Sequence, residues 1–419
     1  MTSTTAHQHE HMQTANAGER LHSLDAVRAI ALLLGIFIHG TMLFLYQDVS
    51  ASDLVPDNHY SDTLFALMFE IHVFRMSVFF LLAGFFAHLV FHRRGAKYLA
   101  KDRAKRILLP LIVFWLITFP LTAAALFWAY FKMYGSLDNL PEFSNSDTES
   151  LSLMHLWFLY VLLGCYLFAF MLRALYKQID KQGRISLFID ACLHRLMKTP
   201  VGAWVLSIPV CLILLSIPEW QAAGGVVTPM VNLDVHWSTW LIYFYLFVIG
   251  WVLDRQRHKI ATLFSHWQLN MIVGTGLSLA ALYIIWPYRG DIAHVLAPDV
   301  NVIYAVIYGS ALMMLTFGTI GMGVRFFTRE SPFMRFLADG SYWVYLMHMP
   351  LIAFWQALFI LWPVHWAIKY SLCVVLTAVP LYYLYNGFVR TTWVGVMLNG
   401  KRMARGFGVN AEKKVSQTA

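Results

Sequence analysis

The chain is short of charge: only 13% of its 419 residues are charged, whereas 59% are hydrophobic. A soluble domain carries about a quarter of its residues as Asp, Glu, Lys and Arg, and this deficit excludes one here. Cysteine is also scarce. Cys165, Cys192, Cys211 and Cys373 show no CxxC spacing, and three of them fall within apolar runs, so they read as buried thiols rather than a disulfide framework or a metal knuckle. The first nineteen residues contain no apolar core. No cleavable signal peptide is therefore legible, and the first apolar segment is expected to serve as an uncleaved anchor. Internal repeats and long polar segments are missing, which leaves no sign of a second domain. The formal charge of +8 would suit nucleic acid, but the basic residues sit in short loops between apolar runs, which argues against that partner.

What the chain has is apolar length. Runs able to cross roughly 30 Å of hydrocarbon occupy 26–46, 64–91, 107–131, 154–175, 201–217, 236–253, 269–287, 299–323, 341–361 and 367–389. This predicts an all-α polytopic membrane protein, a bundle of about ten transmembrane helices. The loops at 92–106, 176–200, 254–268 and 324–340 and the tail after 390 are rich in Lys and Arg, while the alternate loops hold only Lys132 and Arg289. Both termini are accordingly expected in the cytoplasm. Asp48, Asp53, Asp57 and Asp62 in one loop, and Asp138, Glu142, Asp147 and Glu149 in another, are expected to face outward. Residues 1–20, with His7, His9, Glu10 and His11, read as a disordered cytoplasmic tail and not as a metal site. Residues 21–392 read as one membrane domain and 393–419 as a basic cytoplasmic tail.

Ionisable groups within these spans are costly in hydrocarbon and for that reason point to function. Arg28 and His39 are eleven residues apart, which returns them to nearly one helix face about 16 Å apart. Asp25 and Gly35 share that stripe, so it holds a carboxylate, a guanidinium, a gap and an imidazole. The simpler reading of Arg28 is a guanidinium snorkelling to the headgroups beside Asp25; His39, deep in its span, has no such exit. Glu70 and His72, on the next span, are expected at the depth of His39, with Arg75 one turn deeper, either lining a polar cavity or forming a structural ion pair. In the basic loop, Arg103 and Arg106 share a face just before the third span, where free N–H groups and the helix dipole would favour an anion such as a phosphorylated donor. His155 and Trp157 open the fourth span at the outer surface, and His348 lies near mid-membrane before Pro350, which would kink its helix.

Several motifs together carry a resemblance. Asp25-x-x-Arg28-Ala29 with Arg28-x10-His39, Phe74-Arg75-Met76-x-Val78-Phe79-Phe80-x3-Gly84, Arg103-x-x-Arg106, His155-Leu156-Trp157-Phe158-Leu159 and Ser341-x3-Tyr345-Leu346-x-His348-x-Pro350-Leu351 occur in order between about 21 and 390. The chain resembles the membrane-bound acyltransferase-3 family, and within it the group that succinylates periplasmic glucans. It departs from that group at Met349, where a second histidine is expected, and in Gly84-Phe85-Phe86, where Gly-Tyr-Phe is expected. The resemblance implies a multi-pass enzyme of the bacterial inner membrane. It would transfer an acyl group, succinyl or acetyl, from cytosolic acyl-CoA to a glycan hydroxyl on the periplasmic side, without a metal. Carried over by position, His39 is the catalytic histidine, Arg28 its motif partner, and Arg103 and Arg106 the arginines that bind the donor phosphates.

In this reading His39 acts as general base or as a covalent acyl carrier, with Glu70 or His72 orienting it. Arg75 binds a succinyl carboxylate or the developing oxyanion, and Asp25, Arg28, His155, Trp157 and His348 contribute to the substrate site. The chain would pair with itself or with a glucan synthase. The rival readings are an O-acetyltransferase of another surface glycan, a proton-coupled transporter, which the lack of paired broken helices disfavours, and a membrane scaffold.

Overall fold

The computed structural model describes residues 3–45, 60–136, 152–229, 233, 235–291 and 294–406, with side chains from His22 onward. The acidic positions 48, 53, 57, 138, 142, 147 and 149, the side chains of the N-terminal histidines and the end of the basic tail therefore lie outside the described residues. Among the described residues the secondary structure is helical, with a single isolated bridge between Gln221 and Val295. Thirteen α-helices follow one another: α1 Ser3–Thr41, α2 Asp62–Arg103, α3 Leu109–Tyr134, α4 Trp157–Ile179, α5 Arg184–Met197, α6 Gly202–Leu215, α7 Trp237–Arg255, α8 Ile260–Leu263, α9 Trp267–Ile285, α10 Pro298–Phe326, α11 Pro332–Phe359, α12 Trp366–Leu384 and α13 Trp393–Asn399.

Helix starts are written locally. Ser61 and Ser331 each accept a hydrogen bond from the backbone N–H three residues on, at 3.3 and 3.4 Å, and Pro332 takes the first helical position, where no N–H is needed. Seven continuous stretches are long and apolar enough to cross a membrane, or eight if α5 and α6, bent by 113°, count as one. One of the seven, Asp62–Tyr134, has 73 residues, which is about 110 Å of straight helix and too long for a single crossing. It breaks at Gly95 (φ 79°). The expected count of ten reads this stretch as two spans and adds α6 and α11; α11 is not among the seven because His348, Gln356 and its Tyr and Trp residues dilute its hydropathy.

With lipid on both sides, helices associate through close packing and internal polar contacts rather than through expulsion of water. The α2–α7 crossing shows this. A Cβ at Gly84 would come within 1.9 Å of the Phe247 carbonyl oxygen, and one at Gly250 within 1.8 Å of that of Leu81. Nearby, His88 Nδ1 and Asp254 Oδ2, 2.6 Å apart, tie the same two helices. Other extensive pairings are α9 with α10, α6 with α10, α1 with α11 and α3 with α11. α1 is thereby held between α2, α10 and α11, deep in the bundle, which is what sets its polar stripe against other helices instead of lipid. α5 differs from the spans. It exposes Leu187 and Phe188, each at 69%, while Asp190 pairs with Arg255 at 2.7 Å, the pattern of an amphipathic helix lying on a membrane surface.

The charge pattern predicts a topology that labelling can check. In a cysteine-free background, a cysteine at exposed Tyr60 is expected to react with an impermeant thiol reagent added outside intact cells, and one at Lys101 only after the membrane is opened. The reverse pattern would invert the orientation.

Candidate active site

The stripe read from α1 is present as a physical row. Asp25 and Arg28 form an ion pair of 3.0 Å at one end, Leu32 and Gly35 follow, and His39 closes the other end in the last turn of the helix. At that end His39 meets two imidazoles from distant parts of the chain. Ring centroids are 5.1 Å apart for His39 and His348, 5.0 Å for His155 and His348, and 6.4 Å for His39 and His155. All three are buried, His348 completely. Gln356, two turns beyond His348 on α11, donates to the carbonyls of His39 and Gly40 at 3.1 and 3.2 Å. This closes the open carbonyl end of α1 and fixes His39 against α11.

Pro350 explains how the cluster is held. It has no N–H, so the carbonyl four residues earlier, that of Leu346, lacks its helical donor. His155 Nε2–H donates to that oxygen at 3.1 Å, and Tyr345 Oη donates in return to the His155 carbonyl at 2.7 Å. His348 Nδ1–H donates to the Tyr345 carbonyl at 2.6 Å. A carbonyl can only accept, so in the neutral ring the proton sits on Nδ1 and the lone pair on Nε2. That Nε2, like Nδ1 of His155, has no hydrogen-bond partner among the described residues. The cluster therefore offers two buried, unengaged imidazole nitrogens next to His39.

Arg75 reaches the same place from α2. Its Nη1 lies 2.8 Å from where a Cβ at Gly35 would stand, so the gap in the α1 stripe is filled by this guanidinium. His348, Arg75, His155 and His72 are the charged or titratable groups that face His39. Arg75 Nη2 contacts the Met76 sulfur at 3.4 Å and its Nε is unpartnered; no carboxylate pairs with it among the described residues. Glu70 is elsewhere, facing Ser278 of α9. One helix step of two residues separates Glu70 from His72 by about 200° around the axis, which sends one toward α9 and the other toward α1. Trp157 and His155 do not form an open mouth, since both are buried, Trp157 with its ring 6.0 Å from that of Tyr243.

Beyond the cluster, toward the basic loops, lies a cavity of about 360 Å³. Asp25, Arg28, Arg103, Arg106, Arg329 and Arg335 line it, with Tyr166, Tyr342 and Asn399. Arg103 extends over the Tyr166 ring, 5.2 Å from its centre, and Asp102 contacts Arg103 at 3.6 Å and Arg106 at 3.1 Å. The expected free N–H groups before the third span are not there. The chain passes from α2 through a π-turn at Ala104–Leu108 into α3, and the N–H groups of Ala104 and Leu109 are bonded to preceding carbonyls. The five guanidiniums that line the cavity, and not free backbone N–H groups, carry the positive charge at this end. Three rows link the cavity to the imidazoles: Arg28, Leu32, Gly35 and His39 on α1; Phe86, Ala83, Phe79 and Arg75 on α2; Tyr342, Tyr345 and His348 on α11. Between cavity and cluster stand Leu32, Phe79 and Phe158, with the last two rings edge to face at 4.3 Å.

Arg329, Arg335, Asp339 and Tyr342 also stand on the cavity wall, although no motif marks them as site residues. The spacing of the last three, at i, i+4 and i+7 on the helix that leads to His348, carried the signal.

Comparison with known proteins gives a match to the acyltransferase domain family over residues 21–384. Curated relatives include glucans biosynthesis protein C from Escherichia coli strain SMS-3-5, 30% identical over 150 residues, which are 34% of this chain and 36% of that protein. The same-named protein of Escherichia coli O17:K52:H18 strain UMN026 is 24% identical over 352 residues, 81% of this chain and 84% of the relative. The first of these pairings thus spans about a third of the relative's length. No solved structure matches.

The role given to Pro350 is testable. Pro350→Ala returns an N–H to the Leu346 carbonyl, straightens the helix there and makes His155 share its acceptor, so acyl transfer is expected to slow by about 10- to 100-fold through misplaced imidazoles, with thermal stability maintained. Parental turnover in a folded Pro350→Ala protein would show that His155 needs no such anchor.

Proposed function

Because the chain belongs to the acyltransferase domain family, we propose that it moves an acyl group from an acyl-CoA held in the basic cavity to a hydroxyl of a periplasmic glucan that reaches the imidazole cluster from the opposite end. The protein is a multi-pass membrane acyltransferase. The observation that carries the finer reading is the placement of two unengaged imidazole nitrogens beside His39, one or two helical turns from a cavity lined by five arginines. A sugar hydroxyl attacks a thioester poorly while it keeps its proton. In the proposed reaction the hydroxyl oxygen adds to the thioester carbon as its proton passes to the His39 and His348 pair. The carbon–sulfur bond then breaks, and the departing sulfur takes up the proton. The thioester would enter past Leu32, Phe79 and Phe158, whose apolar side chains keep water from the reacting carbon.

The acceptor assignment draws on the relatives named for glucan biosynthesis. The choice of succinyl as the acyl group draws on Arg75. Arg75 is half-buried and has no carboxylate partner among the described residues, and the free carboxylate of a succinyl thioester would supply the missing anion. Glu70, turned toward α9, has no part in this step, and His72 stands near Arg75.

Two outcomes follow. His39→Ala and His348→Ala are each expected to lower acyl transfer by roughly 100- to 10,000-fold, the usual range for a general base, at parental abundance in the membrane. Mass spectrometry of periplasmic glucans from cells carrying each variant reads this directly, and a parental level of acylation with either alanine would remove that histidine from the chemistry. Arg75→Gln is expected to lower transfer from succinyl-CoA by about 10- to 100-fold, the worth of a charge-assisted contact, and transfer from acetyl-CoA much less. Equal losses with both donors would assign Arg75 to the oxyanion and not to the acyl chain.

A further inference from the structure

The family match ends at residue 384, but the basic cavity does not: Leu398 and Asn399, from α13, form part of its wall. α13 is built into the fold. Asn399 Nδ2 donates to the Asp339 carbonyl at 3.1 Å and to Tyr385 Oη at 3.0 Å, Met397 and Leu398 are buried, and Met403 N donates to the Arg390 carbonyl at 3.0 Å. The helix ends in Gly400, whose φ of 80° is in the left-handed region.

Directly over Gly400 lies the guanidinium of Arg106. A Cβ on Gly400 would stand 1.7 Å from Arg106 Nη2 and 2.6 Å from Cζ, so the arginine occupies the volume that any other residue's side chain would need. On its other side Arg106 Nε meets Asp102 Oδ1 at 3.1 Å, and the Arg106 carbonyl accepts from Tyr342 Oη at 2.9 Å. The side chain is nevertheless 36% exposed, toward the cavity. It is clamped along two edges and open on the third.

We infer that α13 and Gly400 complete the donor site by holding Arg106 in the orientation that binds the phosphates of the acyl donor. The inference rests on the reading of the basic cavity as the acyl-CoA site. A guanidinium already oriented loses less freedom when a phosphate arrives than a free one does. Gly400 is thus a positioning residue, acting through Arg106, and what reads as a basic tail is in its first part a wall of the binding site. A methyl group at 400 would displace the guanidinium and leave the imidazole cluster untouched, since Arg106 and the histidines lie at opposite ends of the three rows.

The test uses full-length protein in detergent with two donors, the acyl-CoA and the matching acyl-pantetheine thioester, which has the same reactive end but no phosphates. Gly400→Ala is expected to raise KM for acyl-CoA about 10-fold with kcat unchanged, and to leave KM for acyl-pantetheine at the parental value. In an Arg106→Ala background the same change at 400 is expected to leave KM for acyl-CoA where Arg106→Ala put it, because the group it displaces is gone, while the strain of an alanine at φ 80° lowers thermal stability in both backgrounds. Met397→Ala, which loosens the buried side of α13 and does not touch the cavity, is expected to give the same signature and serves if Gly400→Ala does not fold. An unchanged KM for acyl-CoA, an equal rise for both donors, or a full additive effect on top of Arg106→Ala would each overturn the inference. A parent enzyme that uses acyl-pantetheine as well as acyl-CoA would instead overturn the donor reading of the cavity itself.

Discussion

A polar group inside a bilayer has only the protein to turn to, and one carbonyl, that of Leu346, shows how much follows from this. Pro350 deprives it of its helical donor, and His155 supplies the replacement at 3.1 Å. That bond brings the start of α4 onto α11, places His155 beside His348, and is returned by Tyr345 Oη on the His155 carbonyl. In water the freed carbonyl would have hydrated and nothing would have been fixed by it. In hydrocarbon an unmet carbonyl costs several kcal/mol, so the kink and the imidazole cluster are one arrangement.

The cluster and the basic cavity are joined by rows on three helices, each with a different content. α1 contributes charge, a gap and an imidazole; α2 contributes an apolar strip that ends in Arg75; α11 contributes aromatic rings that end in His348. Gly35 is the junction, because the absence of a side chain there leaves the space into which Arg75 reaches from α2. This puts a guanidinium beside the imidazoles, between α1 and α2.

The two ends treat charge in opposite ways. At the cavity four of the five arginines come with acids: Asp25 beside Arg28, Asp102 beside Arg103 and Arg106, Glu330 beside Arg335. These pairs are partly exposed and contribute little to stability, but they hold long side chains in place around the cavity. At the cluster Arg75 stands without an acid among the described residues. Attraction of a polyanion from water suits the first arrangement, and recognition of a single buried anion suits the second.

Composition by itself determined that this is a helical membrane protein, because apolar runs of bilayer length admit no other backbone structure than helix or closed barrel, and these runs lack the alternation of barrel strands. Spacing determined that Asp25, Arg28, Gly35 and His39 share a face, since helical period is a local property, and the motifs that resemble the acyltransferase-3 family pointed to the family that the comparison returned. Tertiary structure alone decided which faces meet. Nothing near His39 in the chain announces His155 or His348, and the two-residue step from Glu70 to His72, which places them on different sides of α2, acquires meaning only once α9 and α1 are known to flank that helix. Arg106 against Gly400 is of the same kind: a glycine in a basic tail has no local signature beyond a helix stop. Helix neighbours are chosen by close contacts such as Gly84 with Phe247 and Gly250 with Leu81, pairings between segments far apart in sequence, which no local period encodes.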